Sequence, residues 1–157
     1  MRLILSLILP LLLGACASGG LTAHSIGLDD GALTECPPPP RCQSSQMETP
    51  RHGIAPLRLS AEAQADPAGA LARAIDTLAG MPRTRLVTRS ATYAHAEVDS
   101  PWGWYIDDVE LLLDAAVGVI HVRSSGRIGY YDFQVNRDRI EALRSLLIEA
   151  GLVMPES

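Results

Sequence analysis

The chain has no lysine: all 13 of its basic residues are arginine. Schiff-base chemistry, a lysine general base and the phosphate-binding lysine of a P-loop are therefore excluded. The same bias suits a GC-rich genome and implies no selection for arginine itself. Positive charge is also the minority, with 18 acidic residues and a formal net charge of −5. No global field would draw the protein to nucleic acid or to an anionic bilayer, and nucleic acid is not an expected partner. No G-x-S-x-G elbow, H-E-x-x-H, P-loop or dinucleotide fingerprint occurs, so no cofactor and no metal are expected. At 157 residues, 47% of them hydrophobic, the chain has room for one globular core and hardly for two.

A long apolar run is missing as well. Leu3 to Leu13 is apolar except for Ser6 and Pro10, well short of the roughly 20 residues that cross a bilayer. After Met1 and Arg2, and before Gly14-Ala15-Cys16, such a run reads as a cleaved signal peptide. Leu13-Gly14-Ala15-Cys16 resembles the bacterial lipobox, which implies a diacylglyceryl group on Cys16. Each buried methylene adds about 0.8 kcal/mol, so a tri-acylated cysteine holds a domain on a membrane without a spanning helix. Ala17, where aspartate is absent, implies the outer membrane facing the periplasm. The expected division is a leader over 1–15, a lipidated N-terminus and tether over 16–35, a globular domain over 36–151 and a short tail over 152–157.

From Ala17 to about Pro56 the composition is Gly, Ser, Thr and Pro without periodicity, as in a tether or irregular arm outside the core. Pro37 to Pro40 forbid helix there. They stiffen a loop between Cys36 and Cys42, and two cysteines so spaced in an oxidising compartment most simply pair. A metal pair with His24 or His52, or a redox couple, is the alternative, although the spacing fits neither C-x-x-C nor a zinc knuckle.

Beyond Pro56 the pattern becomes regular. Asp66 as cap and Pro67 in the first turn open a helix whose Leu71, Ile75 and Leu78 share a face, and Gly80-Met81-Pro82 ends it. A second helix opens at Asn136. Ile140, Leu143, Leu146, Leu147 and Ala150 recur at helical spacing, Arg137, Arg139, Glu141 and Arg144 point elsewhere, and Gly151 closes it. Between the helices, four period-two runs near 84–89, 92–98, 107–113 and 118–123 predict strands. The fold class is α+β, an antiparallel sheet of about four or five strands with two helices packed on one face.

If Leu113 opposes Gly118, then Leu111 faces Ile120 and Val109 faces Val122 on the core side. The same register sets Asp108 opposite Arg123 and Glu110 opposite His121 on a polar face, and pairing Val87 with His95 sets Arg85 against Glu97. The outer face is then a wall of charge.

Three stretches together resemble the family called domain of unknown function 1499. Cys36-Pro37-Pro38-Pro39-Pro40-Arg41-Cys42-Gln43-Ser44-Ser45 is similar to its Cys-Pro-x-Ser-Pro-Asn-Cys-Val-Ser-Ser opening, with Pro39, Arg41 and Gln43 as departures. Asp107-Asp108-Val109-Glu110 is similar to its Asp-Asp-Val-Glu strand. Arg123-Ser124-Ser125-Gly126-Arg127-Ile128-Gly129-Tyr130-Tyr131-Asp132, running into Asn136-Arg137-Asp138-Arg139-Ile140, resembles Arg-Ser-x-Ser-Arg-x-Gly-x-x-Asp and Asn-Arg-x-Arg-Ile, with Gly126 where a serine is usual. The resemblance implies a fold and an envelope or lumen setting, and no reaction.

Arg123, Ser124, Ser125 and Arg127, with Asp108 and Asp132 nearby in the pattern, are the expected ligand site: guanidinium forks and hydroxyls suit a carboxylate or phosphate. The bland alternative pairs Arg123 with Asp108 and Arg127 with Asp132 around a Ser124-Ser125-Gly126 turn. His95, Glu97, Glu110 and His121 form a second candidate, a hydrolytic or metal-dependent site on the polar face. Trp102, Trp104 and Tyr105 lie in a Pro-Gly loop and either cap the core or form a docking patch or interfacial anchor. The leading expectation is a non-enzymatic envelope lipoprotein that binds an anionic small molecule, a lipid headgroup or a protein partner.

Overall fold

Residues 25–156 are described by the structure, a computed structural model. The expected leader, Cys16, His24 and the first part of the expected tether, residues 16–24, lie outside the described residues. In chain order the elements are β1 (Leu28–Asp29), β2 (Ala32–Leu33), β3 (Cys42–Ser44), β4 (Leu57–Arg58), a 3-10 turn (Ala63–Ala65), α1 (Pro67–Ala79), β5 (Thr84–Arg89), β6 (Tyr93–Asp99), β7 (Ile106–Asp114), β8 (Val119–Gly126) and α2 (Val135–Glu149). The fold is α+β.

The four alternating runs become the meander β5 to β8, and β8 also pairs with the short strands β3 and β4, so the sheet has six strands, all antiparallel. One face carries Ala94, Ala96 and Val98 of β6, Val109 and Leu111 of β7, and Ile120 and Val122 of β8, all buried. Both helices lie on it. Asp66 caps α1 by accepting the Gly69 N–H at 3.0 Å, with Pro67 in the first turn, and Leu71, Ile75 and Leu78 are fully buried. In α2, Ile140, Leu143 and Leu147 enter the core, but Leu146 and Ala150 do not. Arg144, expected outside, is buried: its guanidinium donates to the carbonyls of Ala55 and Pro56 and pairs with Glu141 and Glu156. Its long apolar stem covers the core while its head closes open backbone acceptors.

The register of the central hairpin differs from expectation by two residues. Leu113 pairs with Ile120, Leu111 with Val122 and Val109 with Ser124, so Glu110 faces Arg123 and Asp108 faces Ser125. A shift of two leaves every side chain on its expected face and changes only its partner. The cause is Gly118, whose φ of 70° closes the loop after Asp114 and cannot be a strand residue, while the Asp114 carboxylate accepts the Ala116 and Val117 N–H groups. Arg85 does oppose Glu97, but a bulge after Leu86 removes Val87 from the ladder and sets Thr88 against His95. Residues 123–126 continue β8 and form no turn.

The segment expected as a loose arm belongs to the fold. Leu33 and Cys42 are buried, a disulfide joins Cys36 to Cys42, the Ser45 N–H donates to the Val122 carbonyl of β8 while its hydroxyl accepts the Val122 N–H, and the Leu33 N–H donates to Gln46 at 2.8 Å. At the other end Leu152 and Val153 are buried, and Met154 N–H reaches the Arg58 carbonyl. Among the described residues no helix is long and apolar enough to cross a membrane.

Candidate functional site

Alternation along β6, β7 and β8 sends one set of side chains to the sheet face opposite the helices. Register then arranges them in rows: Tyr93, Leu112 and His121; His95, Glu110, Arg123 and Ser44; Glu97, Asp108, Ser125 and Cys42. This is the expected polar face, but it is not an open wall. The β1–β2 hairpin and the disulfide segment lie over it, and His95, Asp108, Glu110, Arg123 and Ser125 are all buried. The hairpin takes part directly, since the Gly27 N–H donates to Glu110 Oε1 at 2.7 Å.

Two ion networks fill the face. In the first, Glu110 accepts from the Tyr93 hydroxyl at 2.7 Å on Oε1 and from Arg123 Nη1 at 2.6 Å on Oε2. Burial, reinforced by the Glu110 carboxylate, raises the Tyr93 phenol far above its ordinary range, so it remains a donor at any physiological pH. In the second, Arg127 makes a side-on fork to Asp108, Nε to Oδ2 at 2.8 Å and Nη2 to Oδ1 at 2.7 Å, and Nη2 also reaches Glu97 at 2.6 Å. Asp108 Oδ1 meets His95 Nε2 at 2.7 Å, and Glu97 pairs with Arg85. The Asp108 hydrogen bond, with Glu97 adding to it, holds the Arg127 charge even more firmly than usual. Glu97, Asp108 and Glu110 are thus matched by Arg85, Arg123 and Arg127.

One group is left incomplete. Arg123 is 1% exposed, and among the described residues its Nε and Nη2 have no hydrogen-bond partner. Those two N–H groups form one edge of the planar fork, the edge that grips a carboxylate or phosphate bidentately. Leaving buried donors unmade costs about 1–3 kcal/mol, more for a charged group.

The other expected ligand residues separate. Ser124 points to the helix side, where its hydroxyl donates to Asn136 Oδ1 at 2.6 Å. Ser125 is buried with only a 3.5 Å contact to the Gly126 carbonyl. Asp132 holds the start of α2 by accepting the Gln134 and Asn136 N–H groups and the Asn136 side chain. Arg123 therefore pairs with Glu110 and not Asp108, and Arg127 with Asp108 and Glu97 and not Asp132.

The second candidate set does not converge either. His95 and Glu110 are cross-strand neighbours, but His121 lies a row away, its Nδ1 3.2 Å from the Ser45 hydroxyl. Burial lowers its basicity. Among the described residues no group of three or more His, Cys, Asp or Glu side chains is placed to hold a metal ion. No hydroxyl or thiol of those residues hydrogen-bonds His95, whose Nε2 is taken by Asp108.

Sequence reasoning missed a further polar cluster beneath the sheet. Arg139 donates to Ser124, Asn136 and Asp107; Arg41 holds the Gly126 carbonyl at 2.7 Å; Arg137 bridges Gln43 and the Gly53 carbonyl. The signal was present in Asn136-Arg137-Asp138-Arg139, whose arginines read as a solvated helix face because helical periodicity does not show what the loops cover.

The family described as "Protein of unknown function (DUF1499)" matches residues 32–147. No curated protein and no solved structure matches the chain.

Proposed function

The chain belongs to the DUF1499 family, and since that membership carries no reaction with it, we propose from the geometry that the protein is a non-enzymatic binding module of the bacterial envelope, held by lipid on Cys16 and receiving a carboxylate- or phosphate-bearing group on Arg123. The observation that carries this reading is the unpartnered Nε and Nη2 edge of a guanidinium that is almost completely buried. Glu110 fixes the opposite side of the fork, so the free edge is pre-oriented and loses little entropy when it binds. Entry requires the β1–β2 hairpin to lift, and among the described residues it is held by the Gly27 N–H on Glu110, the Leu33 N–H on Gln46 and the burial of Leu33. The leader and the Leu13-Gly14-Ala15-Cys16 stretch support an outer-membrane anchor facing the periplasm. The alternative, a small hydrolase, has the His95–Asp108 pair in its favour but no hydroxyl or thiol positioned on it among the described residues.

A thermal-shift screen of the purified chain against carboxylated and phosphorylated compounds tests the reading. A ligand at 100 times its dissociation constant adds about 2.7 kcal/mol of stability. Arg123→Lys keeps the charge and loses the fork, so it should remain folded and lose the shift. A panel without any shift, or a shift that survives in Arg123→Lys, would overturn the assignment.

A further inference from the structure

The core cluster is entirely aliphatic. The chain has two tryptophans, four tyrosines and one phenylalanine, and all except Tyr93 stand in two loops: Trp102, Trp104 and Tyr105 between β6 and β7, and Tyr130, Tyr131 and Phe133 between β8 and α2. Both loops leave the same end of the sheet, because Asp99 pairs with Ile106 and Asp107 with Gly126. None of these rings caps the core. Trp102 is 80% exposed, Trp104 77% and Phe133 82%, with Ile128 exposed beside them in sequence. Tyr131 and Phe133 meet edge to face at 5.3 Å. Phe133 and Gln134 hold φ of 55° and 67°, so the most exposed ring sits on backbone that side-chain-bearing residues rarely adopt.

We propose that this aromatic end is a lipid contact, through which the domain rests on the surface of the bilayer that carries its anchor. The inference rests on the lipid-anchor part of the reading above. From Cys16 to Ser25 the chain reaches at most about 30 Å even when fully extended, at roughly 3.3–3.6 Å per residue. That is comparable with the width of the domain, so some face of it must stay close to the headgroups, and a weak contact is enough at the resulting local concentration. Tryptophan and tyrosine have an apolar body and a polar tip and concentrate at the membrane–water boundary. Rings so widely exposed project from turn tips and do not line a groove, which suits insertion between headgroups. The charged groups at this end are of both signs and mostly paired, Arg127 with Glu97 and Asp108, Arg139 with Asp107, Arg83 beside Asp99, Arg41 on the Gly126 and Gly129 carbonyls and Asp132 at the foot of the second loop, so the contact requires no anionic lipid.

Trp102 and Trp104 are the chain's only tryptophans, so intrinsic emission reports on this loop alone. The full chain, produced in a bacterium and purified in detergent, is reconstituted with phosphatidylcholine vesicles, and the mass of its N-terminal residue is determined in parallel. Emission should move to shorter wavelength with lipid and be quenched by brominated acyl chains, at low and high salt alike. Replacing Tyr131 and Phe133 by serine, which leaves the tryptophans in place, should weaken the quenching without moving the melting temperature. Emission that stays water-like while the protein sediments with the vesicles overturns the proposal. So does a blue shift that depends on protein concentration and needs no lipid, because the patch is then covered by a second copy. Quenching without acyl groups on Cys16 upholds the contact and removes the anchor; acyl groups without quenching do the reverse.

Discussion

Two residues that depart from the family pattern meet in space. Arg41, where the pattern has asparagine, lays its side chain against Gly126, where the pattern has serine: a Cβ built on Gly126 would lie 3.4 Å from Arg41 Cδ and 3.3 Å from Asp107 Oδ1. Arg41 also uses both backbone groups there, its carbonyl accepting the Gly126 N–H at 2.9 Å and its Nε donating to the Gly126 carbonyl at 2.7 Å. The larger side chain and the missing one thus share one space, and the two changes are expected to be coupled. Gly126→Ser should be tolerated better beside Arg41→Asn than alone, with a coupling of about 0.5–3 kcal/mol, as expected for residues in contact. Denaturant melts of both single variants and the double variant give that coupling directly, and additive effects would show that the two changes are independent. The serine is thus replaced at a packing position, and the candidate ligand chemistry passes to Arg123 alone.

At the scale of elements, α1 and α2 begin in different ways. Asp66 and Pro67 start α1 by local chemistry that spacing alone displays. The start of α2 is held from two residues further back, with Asp132 accepting three N–H donors while Phe133 and Gln134 take left-handed backbone. A non-glycine residue in that region costs roughly 1–2 kcal/mol. Gln134 is exposed, and its side chain makes no capping hydrogen bond, so Gln134→Gly should relieve the strain and stabilise the fold by about 1 kcal/mol, read as a rise in Tm. A fall would mean that the Gln134 side chain supports the loop. The strands show the same contrast between local and distant causes. Periodicity set which face each residue of β6, β7 and β8 takes, whereas pairing waited on Gly118, and in β5 the bulge after Leu86 changed both partner and face.

At the scale of the whole molecule, the 25–56 segment joins the core to the polar face, and His121 lies at that junction beside Ser45. The Ser45 hydroxyl accepts the Val122 N–H at 2.9 Å, which leaves its proton for Nδ1 of a neutral His121. Burial lowers the folded-state pKa of His121, with Asp114 opposing in part. The unfolded chain then binds a proton that the native state refuses. Stability contributed by the neutral ring is complete above the ordinary imidazole value of about 6.5 and is lost as pH falls below it. One proton limits the slope to about 1.4 kcal/mol per pH unit, and a ring only partly buried gives less. Between pH 7 and pH 5.5 the Tm should therefore fall, and His121→Gln should flatten that fall. An equal drop in the variant would place the acid sensitivity elsewhere.

Much of the fold was legible in advance, for physical reasons. Strand and helix periods follow from backbone geometry, caps and turn glycines act over a few residues, and together these determined the α+β class, both helices, the four long strands and the sheet face of each residue in β6, β7 and β8. Cys36 and Cys42 pair as their spacing suggested. The candidate site was legible only as a list. Its residue types and shared face were visible, but Arg123 meeting Glu110, Ser124 turning to Asn136 and Arg127 bridging Asp108 and Glu97 depend on register, and a hairpin register depends on one loop glycine. Burial of the polar face was not legible at all, because a Gly/Ser/Pro-rich segment has no periodicity to show that it folds back as cover. Composition and pattern by themselves determined what kind of domain this is. Only the tertiary structure decided that its charged wall is interior, that one arginine edge there is left open, and that nearly all its aromatic rings stand outside, since each of these is a relation between segments far apart along the chain.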